Sequence, residues 1–408
     1  MSSEQTGDGP SDAVPMTECR VCQVDVPDGE FCGLCGVRLT AQPGDGPDWL
    51  RPKVFGAAPS EHLLTPEVAS SLFPQLPPRA VRTFRVALLV MVAALVAFAV
   101  LRMPGCLVAV AALGFPMLFL LYLYESDAND DLPIGDLILT AVLGIVLGVT
   151  WVLLTGAMVA RSYGVPLGGG VAASRVLGAG LGVSIGNALL LLAPAVMVRL
   201  LRPSPNRESL DGFMIGALGA LAFTAAATIT RLAPQLATGL VSRSRPMVGM
   251  LVEGGIRGLA VPITAAAAGG LIGAALWFRR PANKEHQHVR AARVILGLLG
   301  LGLAAIYLML GLVDTTGMSE WVMLACHLAV ALVAVVLLRI GLQLALLHEV
   351  HDEIQSDQPL LCPYCGHVVP DMAFCPACGA ATRATSRSSR RARRQQRPVR
   401  TDAEGGHQ

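Results

Sequence analysis

The stretch RVALLVMVAALVAFAVLRMPGCLVAVAALGFPMLFLLYLY, Arg85–Tyr124, decides the fold of this chain. It contains two apolar runs, and each is long enough to cross the roughly 30 Å hydrocarbon core of a bilayer as an α-helix. Only Arg102-Met103-Pro104-Gly105 separates them, so the connection is a tight turn. Because lipid offers no hydrogen-bond partners to a backbone, such runs cross a membrane as helices. The stretch therefore predicts a transmembrane helical hairpin.

Six further apolar runs follow the hairpin. They are Ile134–Ala160, Ser174–Met197, Phe213–Leu232, Gly255–Phe278, Val294–Val313 and Trp321–Leu347. The whole chain is 53% hydrophobic and only 15% charged, with a mean hydropathy of +0.57, and this composition excludes an ordinary soluble domain. We predict an all-α polytopic membrane protein with about eight transmembrane helices between residues 85 and 348.

Charged residues between the runs predict the orientation of the bundle. In an eight-span arrangement one face receives Arg79, Arg82, Arg85, Arg199, Arg202, Arg207, Arg279, Arg280, Lys284, Arg290 and Arg293. The positive-inside rule puts that face in the cytoplasm. An even number of spans then puts both termini there, in a multi-pass plasma (inner) membrane protein. Four arginines fall near the opposite face, Arg231, Arg243, Arg245 and Arg257, and for them we predict a surface-lying or re-entrant segment at Pro234–Gly254.

Eight of the ten cysteines belong to one motif that occurs twice. The copies are Cys19-x2-Cys22-x9-Cys32-x2-Cys35 and Cys362-x2-Cys365-x9-Cys375-x2-Cys378. Two C-x2-C turns supply the four thiolates of a tetrahedral structural zinc site. We therefore predict zinc ribbons at residues 18–38 and 360–380, with two structural zinc ions and positive φ at Gly36, Gly366 and Gly379. Two disulfides in each module are the alternative, which requires an oxidising compartment.

The segments outside the bundle and the ribbons are polar. We predict a disordered N-terminus at residues 1–17 and a proline-rich linker at 39–84. Within the linker, Thr65-Pro66-Glu67 is a good helix start, and Val68–Phe73 is expected to lie at the bilayer surface. Residues 381–408 are predicted to be a disordered basic tail that contacts anionic lipids or a partner through Arg383, Arg387, Arg390, Arg391, Arg393, Arg394, Arg397 and Arg400. A solvated tail is the alternative, and the lack of aromatic residues gives base-specific nucleic-acid binding little support.

Polar residues inside the apolar runs are candidate functional residues. They are Arg175, Asn187, Asp211, Arg231, Glu253, Arg257, Cys326, His327 and Arg339. A metalloprotease needs histidines or carboxylates on facing helices, whereas His327 has no carboxylate beside it in the sequence. The pair His348-x2-His351 lacks a defined third ligand, so a polar helix end explains it better. Gly144-x3-Gly148 predicts close helix packing or, alternatively, a self-association face.

Part of the apolar region resembles the PrsW-type intramembrane metalloprotease family, across residues 85–280. The likeness is carried by Tyr122-Leu123-Tyr124-Glu125, by Asp211-Gly212-Phe213-Met214-Ile215-Gly216 running on to Phe223, and by Arg257 with Pro262 and Ile263–Gly273. The family implies a Glu-Glu pair where this chain has Gly186 and Asn187, a glutamate at Ala227, and a histidine within Thr264–Ala268. The resemblance thus implies the shape of a protease bundle without its metal ligands.

These observations predict a non-catalytic integral membrane protein whose cytoplasmic zinc ribbons dock soluble or membrane-attached protein partners. An enzyme is less favoured, because uncharged side chains cannot hold a catalytic metal or activate its water. An active protease with rearranged ligands would have to recruit His327, His348, His351 and Glu253. A transporter is the third alternative, compatible with Arg231, Glu253 and Arg257 inside the spans.

Overall fold

The computed structural model of the protein describes residues 15–42, 68–74, 76, 78–126, 131–162, 169–203, 207–236, 246–278, 287–314, 318–349, 358–382, 385 and 387–397. Eight helices within these ranges are long and apolar enough to cross a membrane. Each corresponds to one of the predicted apolar runs. The prediction of an all-α polytopic protein with about eight spans is therefore confirmed.

Two short hairpins flank the bundle. The first pairs β1 (Met16–Glu18) with β2 (Asp25–Pro27), and the second pairs β3 (Pro359–Leu361) with β4 (Val368–Pro370), both antiparallel. The helices are α1 (Val68–Leu72), α2 (Pro78–Val100), α3 (Pro104–Glu125), α4 (Ile134–Ser162), α5 (Gly169–Leu201), α6 (Ser209–Leu236), α7 (Met247–Gly255), α8 (Val261–Trp277), α9 (Gln287–Val313), α10 (Glu320–His348) and α11 (Arg387–Gln395). A π-helical turn, Ile256–Ala260, joins α7 and α8 into one span.

The hairpin predicted from Arg85–Tyr124 is formed by α2 and α3. Its turn places Arg102 in the left-handed region, with a φ of 54°. Helix α2 begins at Pro78, before the predicted run, because proline at the first helical position already has the required φ. The last residues of the predicted linker are therefore helical.

The spans that contain α6 and α8 form the centre of the bundle, and 89% and 83% of the residues in an apolar 18-residue stretch of each are buried. Gly212 and Gly216 of α6 lie directly against the main chain of α8, where a methyl group would strike backbone atoms. Gly144 and Gly148 of α4 lie against the other side of α6 in the same way. Small residues at these positions let helix backbones approach closely. The pair Gly144-x3-Gly148 therefore serves packing within the bundle.

Helix α1 is buried in the protein, so the prediction that Val68–Phe73 lies at the bilayer surface was wrong. Residues 69–73 are each 4% exposed or less. The ring centroid of Phe73 lies 5.0 Å from that of Phe84 and 5.3 Å from that of Tyr122. Aromatic packing of this kind removes more apolar surface from water than a position at the interface would, and the serines of α1 also have a buried partner, described below.

The predicted re-entrant segment Pro234–Gly254 is not re-entrant where the structure describes it. Helix α6 continues through Leu236, and α7 begins at Met247. Because α7 is apolar and runs through the π-helical turn into α8, its residues belong to a spanning helix. Residues 237–245, which include Arg243 and Arg245, lie outside the described residues.

Both predictions of terminal disorder need correction. Strand β1 begins at Met16, inside the predicted segment 1–17, because it pairs with β2; residues 1–14 lie outside the described residues. Residues 387–395 of the basic tail form helix α11. The tail folds because its arginines meet carboxylates of the bundle, which composition alone does not reveal.

Candidate metal centres and a polar membrane cavity

Each four-cysteine motif gathers its sulfur atoms at one point. We call residues 15–42 the N-module and residues 358–382 the C-module. The Sγ–Sγ distances are 3.8 Å for Cys19–Cys35, 3.7 Å for Cys22–Cys32, 3.8 Å for Cys362–Cys378 and 3.8 Å for Cys365–Cys375. A tetrahedron with zinc–sulfur bonds of about 2.3 Å has edges of about 3.8 Å, whereas a disulfide holds its sulfurs at about 2.0 Å. Each group could therefore hold a metal ion, and its cysteines are free thiols rather than disulfides.

The backbone of the turns is shaped for these sulfurs. The predicted glycines Gly36, Gly366 and Gly379 have φ of 70°, 72° and 71°. At the fourth turn Gln23 takes the same region, with a φ of 55°. In this conformation the turn aims N–H groups at sulfur, and the Cys35 N–H donates to Cys32 Sγ at 3.4 Å. The positive φ predicted from the three glycines is confirmed.

Hydrogen bonds between thiols shift several cysteine pKa values in each group. In the N-module, hydrogen bonding by the Cys35 thiol lowers the pKa of Cys32 to about 5, and the same contact raises the pKa of Cys35. In the C-module, hydrogen bonding by Cys375 lowers the pKa of Cys362 to about 2, and hydrogen bonding to Cys362 raises the pKa of Cys378. One sulfur thus carries the charge while neighbours keep their protons. A divalent cation would let all four ionise, so the donor set fits a metal.

The two modules bind each other, which the sequence analysis did not predict. The Phe31 N–H donates to the Pro376 carbonyl at 2.9 Å, and the Phe374 N–H donates to the Gly33 carbonyl at 2.8 Å. Phe31 and Phe374 occupy the same position in their modules, and so do Gly33 and Pro376. The two hydrogen bonds are therefore related by a pseudo-twofold axis. Between them, the modules make one body from both ends of the described chain.

Side chains close the same interface. The ring of Phe31 lies against Gly379, and the ring of Phe374 lies against Gly36. Met372 of the C-module belongs to the buried cluster of the N-module. A sequence signal for this pairing existed: Val-Pro-Asp and a phenylalanine precede the third cysteine at the same spacing in both copies. Equivalent surfaces of a repeated module are the usual material of a twofold interface.

Helix α11 fastens the C-module to the bundle. Arg394 and Arg397 each lie 3.0 Å from a carboxylate oxygen of Asp371 in the C-module. Arg390, 6% exposed, donates through Nη2 to both oxygens of Glu208 at 2.7 Å, just before α6. Charge-assisted hydrogen bonds of this type, shielded from water, are stronger than neutral ones. Helix α11 thus connects the module with the membrane bundle.

The beginning of α11 is held by the loop between α3 and α4. The Ser388 N–H donates to Asp131 Oδ1 at 3.0 Å, and the Arg387 N–H also donates to the Asp131 carboxylate. This carboxylate therefore caps the helix from another part of the chain. The Arg387 guanidinium lies 3.0 Å from Asp211, one of the predicted candidates, which is thereby placed in an ion pair.

The structure changes the expected role of most tail arginines. Arg387, Arg390, Arg394 and Arg397 contact carboxylates of the protein. Burial lowers the pKa of Arg393, whose guanidinium donates to Thr385 Oγ1 at 2.6 Å. Arg391 is exposed, while Arg383 and Arg400 lie outside the described residues. Lipid contact therefore stays a prediction for those three arginines.

Arg339 in α10 is a structural cation. It is 0% exposed, and its Nη1 donates to the hydroxyl oxygens of Ser70 and Ser71 at 3.0 Å each. It lies nine residues before the end of α10, which is about 13 Å along the helix axis. Helix α1 is buried because it brings hydroxyl acceptors to a cation that lipid cannot satisfy.

A polar cavity opens at the distal end of the bundle, the end away from the two modules. Its outer chamber, about 450 Å³, is lined by polar residues that include Glu253, Arg257, Asp314 and Glu320. A middle chamber of about 190 Å³ is lined by Asn187, Arg231, Arg257, Asp314 and His327 among others. A small inner chamber of about 30 Å³ adds Thr224 and Thr228. Five of the predicted intramembrane candidates thus come together here, while the side chain of Arg175 lies outside the described residues.

The inner chamber contains positions singled out by the protease resemblance. Asn187, Phe223 and Ala227 all line it. Asn187 donates from Nδ2 to the hydroxyl of Tyr307 at 3.2 Å. Thr264, in the stretch where the family implies a histidine, donates to the Ala260 carbonyl at 2.8 Å. Asparagine, alanine and threonine supply neither a carboxylate nor an imidazole at these positions.

The histidines proposed for a rearranged protease do not meet. His327 Nε2 lies 3.0 Å from Asp314 Oδ1 in the distal cavity. His348 hydrogen-bonds the Leu344 carbonyl at 3.1 Å, and it lies about 30 Å along α10 from His327. His351 lies outside the described residues. Within the described ranges, the two four-cysteine groups are the clusters of three or more ligand-type residues close enough to share an ion.

Fold and site together define an all-α polytopic membrane protein with two four-cysteine groups, each able to hold a metal ion. In comparisons with known proteins, no family model, no curated protein and no solved structure matches this chain. The function is therefore argued from the arrangement of its own residues.

Proposed function

We propose that this chain is a non-catalytic membrane protein whose two modules bind zinc and together form one docking platform on the cytoplasmic side. The pairing of the modules carries this proposal. Both chain ends contribute to one body, and α11 fixes that body to the bundle through Glu208 and Asp371. A platform that is already ordered loses little conformational entropy when a partner binds.

Zinc suits both groups better than a redox-active or oxygen-preferring ion. Four thiolates in a tetrahedron are the usual ligand set of structural zinc, and they leave no position for water or substrate. The ions would therefore hold the knuckles together and take no part in a reaction. Each module is too small to fold on its own hydrophobic core, so zinc binding supplies much of its folding free energy.

The exposed hairpin of the C-module is the proposed docking face. Leu361 and Val368 are cross-strand partners and are 49% and 57% exposed. At the equivalent position the N-module has Glu18 opposite Asp25, also exposed. One hairpin thus presents an apolar pair and the other an acidic pair. Exposed apolar pairs on a small ordered module favour a protein partner with an apolar anchor.

The proposal for the bundle is that it has the shape of the protease family it resembles, without the catalytic ligands. Support comes from the inner chamber, because Asn187 and Ala227, two positions at which the resemblance implies catalytic ligands, both line it. Without metal ligands, such a site binds a membrane client or stabilises the bundle but does not hydrolyse peptide bonds. Accumulation of an uncleaved membrane protein in a deletion strain would contradict this part of the proposal.

Replacement of the exposed cross-strand pair in each hairpin tests the docking face. The tagged full-length chain is cross-linked in intact cells and purified, and its partners are identified by mass spectrometry. The variant Leu361→Glu with Val368→Asp gives the C-module the acidic pair of the N-module, and we expect it to lose the partner set. The control, Glu18→Gln with Asp25→Asn, should keep it.

Zinc content serves as the folding control in both variants, since an unfolded module loses its ion. If the acidic exchange keeps both ions and the same partners, the C-module hairpin is not the docking face. If partners are lost only in the Glu18→Gln and Asp25→Asn variant, the docking face lies on the N-module.

A further inference from the structure

We propose that the distal cavity binds an anionic oxygen group, a phosphate or a carboxylate, between Arg231 and Arg257. Arg257 lines all three chambers, and Arg231 lines the middle and inner ones. The two guanidinium groups are close enough to repel each other. This inference goes beyond the docking function, because it concerns the opposite end of the molecule.

The carboxylates of the cavity line its outer and middle chambers, and Asp314 shares the middle chamber with both arginines and attracts Arg231. Glu253 and Glu320 line the outer chamber, and Asp314 lines the outer and middle chambers. The Oδ1 atom of Asp314 is within hydrogen-bond distance of His327. Within the described part of the chain, neither Arg231 nor Arg257 has a carboxylate oxygen within 4.0 Å. Among the described residues, the carboxylates thus line the outer and middle chambers, whereas the inner chamber is lined by both arginines and no carboxylate.

Three segments that lie between described helices in the sequence contain no Asp or Glu. They are residues 163–168, 237–245 and 315–317. Residues 237–245 instead add Arg243 and Arg245. In the sequence, Arg231, Arg243, Arg245 and Arg257 fall near the predicted distal face, contrary to the distribution that membrane insertion favours.

An arginine in a membrane-spanning helix without a carboxylate in hydrogen-bond reach is costly and marks a functional site by default. Two guanidinium groups at one cavity are well suited to a phosphate or carboxylate, which each can contact through two parallel hydrogen bonds. Neutral groups complete the pocket, since Asn187 and Tyr307 line both the middle chamber and the inner chamber. The middle and inner chambers together have room for a lipid headgroup or a small solute but not for a folded protein.

The anionic group has two possible sources. It is either the headgroup phosphate of a membrane lipid or a small anion that enters from the aqueous phase. Both require the same two arginines, so they share one set of variants. The probes are inorganic phosphate, acetate, and nanodiscs of phosphatidylglycerol compared with nanodiscs of phosphatidylcholine.

The first test uses the unmodified full-length protein. Phenylglyoxal modifies accessible arginines, and mass spectrometry of peptides gives the rate at each position. At about ten times the dissociation constant of a bound probe, modification of Arg231 and Arg257 should slow about tenfold, because about one site in eleven is empty. Arg102, exposed in the distal turn between α2 and α3, should react at an unchanged rate.

The second test measures probe affinity in variants. Arg231→Gln and Arg257→Gln should each weaken binding roughly tenfold or more, while Arg102→Gln, a matched distal arginine, should not. Arg231→Lys and Arg257→Lys keep the charge and should retain part of the affinity. Zinc content and a single peak in size-exclusion chromatography show that each variant has folded.

The outcomes separate the sources. Protection by phosphate or acetate in detergent identifies a soluble anion, and protection only in phosphatidylglycerol nanodiscs identifies a lipid headgroup. Equal modification rates at Arg231 and Arg257 with every probe would overturn the proposal, even if a glutamine variant fails to fold. Unchanged affinity in folded glutamine variants would overturn it as well.

Discussion

The N-module and the C-module have the same local fold, but they pack against different parts of the protein. Their cysteine groups, hairpins and backbone hydrogen bonds correspond residue by residue, as in Cys19 N–H to the Val24 carbonyl and Cys362 N–H to the His367 carbonyl. Phe374 belongs to the buried cluster of the bundle, whereas the buried cluster around Cys19 is separate. The C-module is therefore fixed to the membrane bundle, and the N-module is fixed to the C-module.

One pair of residues shows how a repeated motif acquires a new role. Asp28 and Asp371 occupy the same position, directly after Val-Pro in each module. Asp28 is exposed and accepts the N–H of Gly29 at 3.0 Å. Asp371 is 3% exposed and pairs with two arginines of α11. The same carboxylate thus closes a turn in one copy and anchors a helix in the other.

Loss of metal should have the largest effect. Cys362→Ser should unfold the C-module and release the N-module from the bundle, whereas Cys19→Ser should unfold the N-module alone, because attachment runs through the C-module. Structural zinc contributes on the order of 10–16 kcal/mol to such modules. Elemental analysis should give about two zinc ions per wild-type chain, and limited proteolysis in each variant locates the exposed segment.

The bundle should remain inserted in both cysteine variants, because its spans are separate from the modules. Equal proteolysis patterns in the two variants would contradict the proposal that the N-module is attached to the bundle through the C-module. Fewer than about one zinc ion per purified chain would reject the paired metal sites.

Truncation of the interface phenylalanines should have the next largest effect. Phe31→Ala removes a buried ring from the module interface and should cost roughly 3–5 kcal/mol, which frees the N-module only. Phe374→Ala should loosen both modules, because its ring also packs with the bundle. Hydrogen exchange at the amides of Cys362 and Cys375, which donate within the C-module, measures the difference, because we expect it to speed up only in Phe374→Ala. Equal exchange at these amides in both variants would count against the prediction.

Removal of the carboxylate partner of Arg390 tests the attachment to the bundle. Glu208→Gln leaves a buried guanidinium without its ion pair, which should cost roughly 3–5 kcal/mol of α11 docking. Arg391→Gln is the matched control, since Arg391 lies on the exposed side of the same helix. We expect faster hydrogen exchange along residues 387–395 only in Glu208→Gln. Similar exchange in both variants would show that α11 is held by other contacts.

The smallest effect is expected from the equivalent aspartates. Asp371→Asn weakens two ion pairs with partly exposed arginines and should destabilise the attachment of α11 by about 1–3 kcal/mol. Asp28→Asn keeps a turn-forming side chain at an exposed position and should change stability by less than about 0.5 kcal/mol. Thermal unfolding of the zinc-loaded chain compares the two, and a larger shift in Asp28→Asn would reverse the proposed assignment.

Hydropathy and cysteine spacing predicted the spans and the metal groups because both depend on local sequence. The length of an apolar run sets a span, and two C-x2-C turns set a thiolate cluster. The pairing of Phe31 with Pro376 depends on residues more than three hundred positions apart. The contact of Ser71 with Arg339 joins residues 268 positions apart, and that of Arg390 with Glu208 joins residues 182 positions apart. Tertiary contacts of this sort leave no periodic signal in the sequence, so α1 and α11 were placed wrongly.

The distal cavity shows the same limit. Its arginines were noticed as exceptions to the expected charge distribution, but their convergence on one cavity depends on how α6, α9 and the π-helical turn pack together. The arginines that depart from the expected charge distribution thus indicated where the cavity lies. Its geometry required the folded bundle.

The contact between the modules turns the chain into a closed ring without a covalent bond. Every hydrogen bond in that contact would also form between the N-module of one molecule and the C-module of a neighbour, since the two surfaces are unchanged by the exchange. Which arrangement prevails is set by effective concentration: the tethered module competes at a fixed, high local level, whereas a neighbour competes according to its density in the membrane. Crowding of this protein in one region of a bilayer would therefore favour swapped pairs or longer chains of molecules, held together by an interface that each molecule already has.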